Sequence, residues 1–558
     1  MAPSFVALLA GLACIGSVAA ELSGTVGPTT SRASKAAKKR CNIMDYGGVA
    51  SATTDNGEAI NAAWKACAAI GGEVYVPEGD YGLGTWLTLS GSSMSFCLDG
   101  TIHRTGTAGG NMFMFKHITD FELYSSTSKG AIQGYGYEYH KDNTYGARIL
   151  RFADVNDFSV HDISLVDSPA FHFSLDTCTN GEVYNMVIHG GNRGGLDGID
   201  VWGTNIWIHD VEVSNKDECV TVKNPSDHLL IENIFCNWSG GCAMGSLATG
   251  TDIHDIEYTN VYTHSSNQMF MFKSNGGSGT VSNVALNNFI GHSNAYTLDL
   301  DAAWSSMSTV DGDGILYSNL TFSGWSGTCA NGVQRGPIKF NCPADVPCAD
   351  MVVKDFNVWT DTGSKVQHVC HNAYGEGACL ASGAATATYT STQTITTSGD
   401  YSVQTMPGEL RAGLGLTQSI AIPTIPSSFF PGKAPYSPLM GSSGGSSTAA
   451  QEQELSTSSA ASPAASTTSS TATAVASEDP TFVTLSSDVS TARSSTPSQS
   501  KSSASTRPAA PISSSSASRV SSAPSAVPTK ASTSSPEPAS TGCGRHGSRY
   551  RYNRRSHA

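Results

Sequence analysis

A four-residue unit, apolar, any residue, Asn or Asp, apolar, recurs along the middle of the chain. It reads Val160-His161-Asp162-Ile163, Val183-Tyr184-Asn185-Met186, Ile208-His209-Asp210-Val211, Ile231-Glu232-Asn233-Ile234 and Tyr258-Thr259-Asn260-Val261. It continues as Leu286-Asn287-Asn288-Phe289, Tyr317-Ser318-Asn319-Leu320 and Val353-Lys354-Asp355-Phe356. The Asn or Asp positions are separated by 23, 25, 23, 27, 28, 31 and 36 residues. Around each unit apolar residues alternate with polar ones, as at Ile206, Ile208, Val211 and Val213, which is strand periodicity interrupted by a bend. Such a repeat is too short for a strand-helix-strand unit with loops, and the helical 3.6 pattern is absent. One coil of a right-handed parallel β-helix fits, so the expected fold class is all-β. Coils would stack about 4.8 Å apart, with apolar side chains inside and the Asn/Asp residues forming a hydrogen-bonded ladder at the bend. A β-sandwich with evenly spaced strands is the competing architecture, and eight matching units disfavour it. The lengthening intervals predict longer loops towards the C-terminal end. Helical spacing occurs over Thr54–Ala69, which predicts an amphipathic helix capping the open N-terminal edge of the coil.

Composition changes this picture by dividing the chain. Over 558 residues the average is 14% charged with a net charge of −14. Residues 1–20, MAPSFVALLAGLACIGSVAA, read as a signal peptide whose apolar run is too short to span a bilayer. Residues 441–558 are Ser/Thr/Pro/Ala-rich, cannot supply a packed core, and resemble an O-glycosylated stalk with a basic end, CGRHGSRYRYNRRSHA. The catalytic β-helix domain is therefore expected over 21–440. Within it, residues 41–440 carry a net charge of about −22. At neutral pH that surface repels nucleic acid and anionic membrane, whereas an anionic polysaccharide at acidic pH stays compatible.

Fourteen cysteines fit a secreted, extracellular protein. Cys14 leaves with the leader and Cys543 lies in the stalk. Cys41/Cys67, Cys219/Cys236, Cys342/Cys348 and Cys370/Cys379 are close enough in sequence to suggest local disulfides, although spacing does not prove pairing. No paired CxxC zinc pattern or CxxC redox pair is present, and no cofactor or metal is expected. Asn237-Trp238-Ser239 and Asn319-Leu320-Thr321 are glycosylation sequons.

Chemistry is expected where carboxylates recur at the coil spacing. Asp176, Asp197 and Asp217 are separated by 21 and 20 residues, and Glu218 follows directly. Projecting from one face, they would lie about 5 Å apart laterally, raise at least one pKa and titrate as a set. Taken singly, each has a bland explanation: Asp197-Gly198 is a turn dipeptide, Asp176 a bend cap, and Lys216-Asp217-Glu218 a solvated charge run.

These residues resemble the polygalacturonase-like glycoside hydrolases of family 28. That family's Asn-Thr-Asp-Gly stands here as Gly195-Leu196-Asp197-Gly198, and its Asp-Asp-Cys as Asp217-Glu218-Cys219. Its Gly-His-Gly has become Gly241-Cys242-Ala243, and its Arg-Ile-Lys keeps only Lys273 in Met271-Phe272-Lys273. The lost histidine and arginine argue against simple homogalacturonan. The stretches SPAFHFSLDTC, GGLDGIDVWG, NKDECVTVK and NWSGGCAMGS are similar to the rhamnogalacturonan-cleaving fungal branch of the family, over 22–439. The resemblance implies an inverting hydrolase of a pectic polysaccharide, rhamnogalacturonan I, acting as a monomer. It implies Asp217 as general acid, with Asp197 and Glu218 holding and deprotonating the water.

Asp176 would raise the acid's pKa or position a sugar hydroxyl, and Lys273 would contact a galacturonate carboxylate. With Gly-His-Gly missing, His292 in Gly291-His292-Ser293 becomes a catalytic candidate about 14 Å from Asp217 by coil count, set against a structural histidine. Trp202, Trp238, Tyr296 and Trp304 are candidate sugar platforms. Two other function classes compete: a calcium-dependent pectate or rhamnogalacturonan lyase using Arg193 or Lys216, and a catalytically dead wall-binding β-helix.

Overall fold

A computed structural model describes residues 22–330, 336–361, 366–383, 385, 389–395 and 402–442. The expected leader, all but two residues of the expected stalk, Cys14 and Cys543 lie outside the described residues. Strands follow one another in parallel register, coil upon coil. The long ones are Asn111–Tyr124, Arg148–His161, Phe173–His189, Ile199–Ser214, Glu218–Asn237, Thr251–His264, Gly279–Asn294, Leu316–Cys329 and Cys348–Thr360. Among the described strands, only Val366–His371 and Thr390–Ile395 pair antiparallel. The chain is a parallel β-helix.

The repeated Asn and Asp residues make the coil turn. Asp162, Asn185, Asp210, Asn233, Asn260, Asn288 and Asp355 stand in one row with φ between 49° and 57°, the left-handed region that Asn and Asp tolerate better than other side-chain-bearing residues. Their amides form part of the expected ladder: Asn233 donates to Asp210 at 3.0 Å, Asn260 to Asn233 at 3.2 Å and Asn288 to Asn260 at 2.6 Å. Asn319 does not belong to this row. Pairing of Asn287 with Ser323 puts Gly324, φ 67°, next to Asn288, and glycine meets the same backbone requirement without an amide. Asn319 lies in a parallel second row, Asp157, Asn180, Asn205, His228, Asp255, Asn283, Asn319 and Asp350, with φ between 53° and 56°.

Apolar residues on successive coils fill the interior as stacks. Phe115, Phe152 and Phe173 meet edge to face, while Phe289 and Trp325 lie parallel at 4.2 Å. At the N-terminal end the helix Gly57–Ala68 buries Ile60, Ala63, Trp64 and Cys67. Trp64 reaches Phe96, Phe115 and Phe121, so this helix covers the apolar end that an uncapped first coil would expose. Disulfides join Cys41 to Cys67, Cys219 to Cys236, Cys342 to Cys348 and Cys370 to Cys379, and Cys97, Cys178, Cys242 and Cys329 are buried free thiols. No described helix is long and apolar enough to cross a membrane.

Residues 402–442 run back over the outside of the coils as a strap. Met406 and Phe430 pack on Phe235, Tyr262 and Ile290, while Ile425 and Phe429 pack on Val187. The strap also completes the first rungs of the ladder. Met440 N–H donates to Asp162, Asn185 donates to Ser437 O, and Tyr436 N–H donates to Asp210.

Candidate active site

Three carboxylates converge where two adjacent coils begin their next strand. Asp197 precedes the strand Ile199–Ser214, and Asp217 and Glu218 open the strand Glu218–Asn237. One oxygen from each lies within 4.8 Å of the others. The backbone fixes them: Gly198 N–H donates to Glu218 O at 2.9 Å, and Asn215 ties Leu196 O to Glu218 O at 2.7 and 3.0 Å. Asp217 accepts backbone N–H bonds from Gly195 and from Glu218.

Asp176 is not in line with them. Phe173 pairs with Ile199 and Ile199 with Val220, so the first coil spans 26 residues and the second 21. Asp197 therefore stacks on the neighbourhood of Glu218, whereas Asp176 falls five positions further along its coil. The equal intervals of 21 and 20 residues in the sequence mask a longer loop between Asp176 and Asp197. Asp176 is ion-paired with Arg151 and accepts from Thr177 Oγ1 at 3.0 Å.

Two lysines balance the carboxylates. Lys273, 4% exposed, is ion-paired with Glu218 and places its Nζ 5.2 Å from the ring centre of Trp304. Lys223 lies 3.1 Å from Asp200 and 3.7 Å from Asp197. Sequence reasoning missed Lys223 and Asp200. Their signal is Asp197-Gly198-Ile199-Asp200 and Val220-Thr221-Val222-Lys223, polar side chains recurring within otherwise apolar strands.

Burial pushes the Asp197 carboxyl well above the usual range, and Asp200 and Asp217 add to it while both lysines oppose. Burial would depress Lys223, but Asp200 and Asp197 outweigh it and hold the ammonium above its ordinary pKa. Lys273 is lowered by burial despite Asp217, Asp197 and Asp200. The cluster thus contains one carboxyl that holds its proton more tightly than usual beside a carboxylate bound to a lysine.

The remaining candidates are spread out. His292 is reached from Lys216 by three coil steps, through Lys216 N–Trp238 O, Trp238 N–His264 O and Ser265 N–His292 O, or about 14 Å. Its ring binds Glu409 of the strap and stands outside the carboxylate cluster. Tyr296 is half-buried at the neighbouring turn, with its N–H 2.9 Å from Asn267 O. Trp238 donates its indole N–H to Leu410 O in the strap, and Trp202 is half-buried in the row of Asp176 and Lys223.

Both sequon asparagines donate from their side-chain amides. Asn237 is fully buried and donates to Glu212 and Gly408 O, which leaves no room for a glycan in this fold. Asn319 is half-buried and donates one amide hydrogen to Asn283 at 2.8 Å.

Residues 68–380 match the family described as glycosyl hydrolases family 28. The chain is 61% identical over 429 residues to rhamnogalacturonase A of Emericella nidulans, a match covering 76% of this chain and 84% of that one. It is 60% identical over 426 residues to rhamnogalacturonase A of Aspergillus aculeatus, covering 76% and 97%. Among solved structures, the endo-xylogalacturonan hydrolase of Aspergillus tubingensis shares the fold with a TM-score of 0.53 at 22% identity, over 58% of this chain and 94% of that one. With a carboxylate cluster mounted on a parallel β-helix and these relatives, the chain belongs to glycosyl hydrolases family 28 and is a glycoside hydrolase.

Proposed function

We propose that this enzyme is a secreted endo-hydrolase of pectin that cuts the rhamnogalacturonan I backbone at the bond from galacturonate to rhamnose. The observation carrying the chemistry is the Asp197–Asp217–Glu218 convergence, in which one member holds its proton more tightly than usual and another is ion-paired. The similarity to rhamnogalacturonases supports the substrate, and four disulfides favour an oxidising, extracellular setting.

In this reading Asp217 delivers the proton to the leaving oxygen. Asp197 is 4% exposed, whereas Asp217 is half-buried, so Asp217 is the member more able to meet the leaving oxygen. Glu218, ion-paired with Lys273, is the base that takes a proton from water, with Asp197 also holding that water. The water's oxygen bonds to the anomeric carbon as the bond to the leaving sugar breaks, inverting the configuration. Lys273 is committed to Glu218, so it positions the base. Arg148, whose electrostatic neighbours include Asp176, Asp197 and Asp200, is a cationic group that could meet a uronate.

Proton NMR of the first product tests this course: rhamnogalacturonan I cut with an inverted anomer is expected. A retained anomer removes the inverting assignment. Preferential cutting of homogalacturonan overturns the substrate, and an unsaturated product would make the protein a lyase.

A further inference from the structure

A second convergence of ligating side chains lies two to three coils away from the carboxylate cluster. His264, at the end of the strand Thr251–His264, is in register with His292 on the next coil, and their ring centres are 5.1 Å apart. Glu409 reaches over both from the strap. Its Oε1 is 2.8 Å from His292 Nδ1 and its Oε2 is 3.7 Å from His264 Nδ1. One donor atom from each residue lies within 4.8 Å of the other two. We propose that His264, His292 and Glu409 form a binding site for one divalent first-row transition ion of the zinc class.

The hydrogen bonds around His264 carry the argument. Its Nε2 lies 2.9 Å from Leu410 O, a group that can only accept, so Nε2 bears the hydrogen and the neutral ring presents a lone pair at Nδ1. That Nδ1 is buried, has no hydrogen-bond partner, and faces a carboxylate oxygen. Two acceptors turned towards each other in a buried site are unfavourable without a positive charge between them. A divalent metal ion supplies that charge and takes up both lone pairs.

The dimensions and ligand types suit zinc better than calcium or magnesium. Bonds of about 2.0–2.1 Å in tetrahedral geometry place ligand atoms about 3.3 Å apart, and the observed 2.8 and 3.7 Å fall on either side of that. Two imidazoles with one carboxylate match the preference of zinc, copper or nickel, whereas hard cations take oxygen sets. Partners outside the three ligands orient them: Leu410 O fixes the His264 tautomer, and Tyr262 donates its hydroxyl to Glu409. With its side chain 30% exposed, His292 gives the ion and a completing water a route from solvent.

An ion there would clamp the strap to the coils. Four residues beyond Leu410, Leu414 O accepts from Asn192 N–H in the loop that carries Gly195 and its bond to Asp217. Occupancy would therefore steady the wall of the hydrolytic site without entering the reaction.

The test is calorimetric titration of the full-length, chelator-stripped enzyme with zinc sulfate, alongside thermal unfolding. One zinc per chain and a raised Tm are expected. Glu409→Gln and His264→Gln should each weaken binding at least tenfold, whereas His254→Asn, in the half-buried His228–His254–Asp255 group, should leave it unchanged. Absence of zinc binding by the wild type, undiminished affinity in both site variants, or loss on His254→Asn instead would each overturn the proposal. If the site variants fail to fold, wild-type His292 can be labelled with diethylpyrocarbonate and mapped by peptide mass. Protection by zinc supports the site, and equal labelling with and without zinc refutes it.

Discussion

Replacing Lys273 by Met tests whether the lysine serves the base or the substrate. Its ammonium contacts Glu218, and the two side chains are 5% and 12% exposed. At an effective dielectric of about 20, unit charges about 4 Å apart attract by about 4 kcal/mol, equivalent to about 3 pKa units at 1.36 kcal/mol each. Water admitted to the vacated space, and Lys223 3.7 Å from Asp197, offset part of that. An opposite charge at contact typically moves a carboxyl by about 1–3 units, and a net effect of about 1–2 is expected. The sign follows from the base's requirement to be ionised. Without Lys273 its anionic form loses a counter-charge, the proton stays on to higher pH, and the acid limb of kcat/KM moves upward by about 1–2 pH units. Stability should also fall, by about 3–5 kcal/mol for an unpaired buried charge, so activity must be read well below the variant's Tm. The assay is the pH profile of initial rates on rhamnogalacturonan I. A raised KM with an unmoved acid limb would refute this reasoning and return Lys273 to the uronate-binding role its position in the motif suggested.

Three other outcomes are expected. Asp217→Asn removes the delivered proton and keeps the shape, but its one amide oxygen can accept from only one of the Gly195 and Glu218 N–H groups, so kcat should fall by about 10²–10⁴ and stability by about 1–3 kcal/mol; near-wild-type turnover would displace Asp217 as the acid. Gly324→Ala places a Cβ at φ 67° and should cost about 1 kcal/mol in chemical denaturation, whereas Gly324→Asn should be milder and able to extend the amide ladder from Asn288. Asn237→Ala should destabilise by about 2–3 kcal/mol, because it strips Glu212, Gly408 O and Leu410 N–H of their partner. The intact mass of Asn237→Ala should show no loss of glycan relative to wild type, and such a loss would mean that the native chain is modified there.

How far the molecule was legible in its sequence depends on what each signal encodes. The bend row is legible because a left-handed residue is a local requirement: Asp162 to Asn288 can be read one by one, since few side chains tolerate that φ. The same requirement misleads at Asn319. Two rows make identical demands, so only strand pairing assigns Asn319 to the second row and Gly324 to the first. The helix capping the N-terminal end and the four short-range disulfides are local features too, and they appear where spacing suggested.

The catalytic cluster is a matter of register, and register accumulates loop lengths that periodicity does not reveal. The coil from Phe173 to Ile199 contains five more residues than the coil from Ile199 to Val220. That difference moves Asp176 to Arg151 while leaving Asp197 above Glu218. Intervals of nearly equal length were therefore a sound guide for Asp197 and Glu218 and a false one for Asp176. Lys223 was hidden for the opposite reason. A lysine after an apolar strand reads as solvated, and only the fold brings two buried aspartates within 3.7 Å of its ammonium. The strap lies furthest from what local sequence shows. Glu409 is more than a hundred residues from both His264 and His292, has no periodic signal, and meets them only because the chain doubles back along the coils it has just built. His292 could thus be recognised as an unusual histidine from its place on a coil, while the group that decides its chemistry came from a segment with no repeat at all.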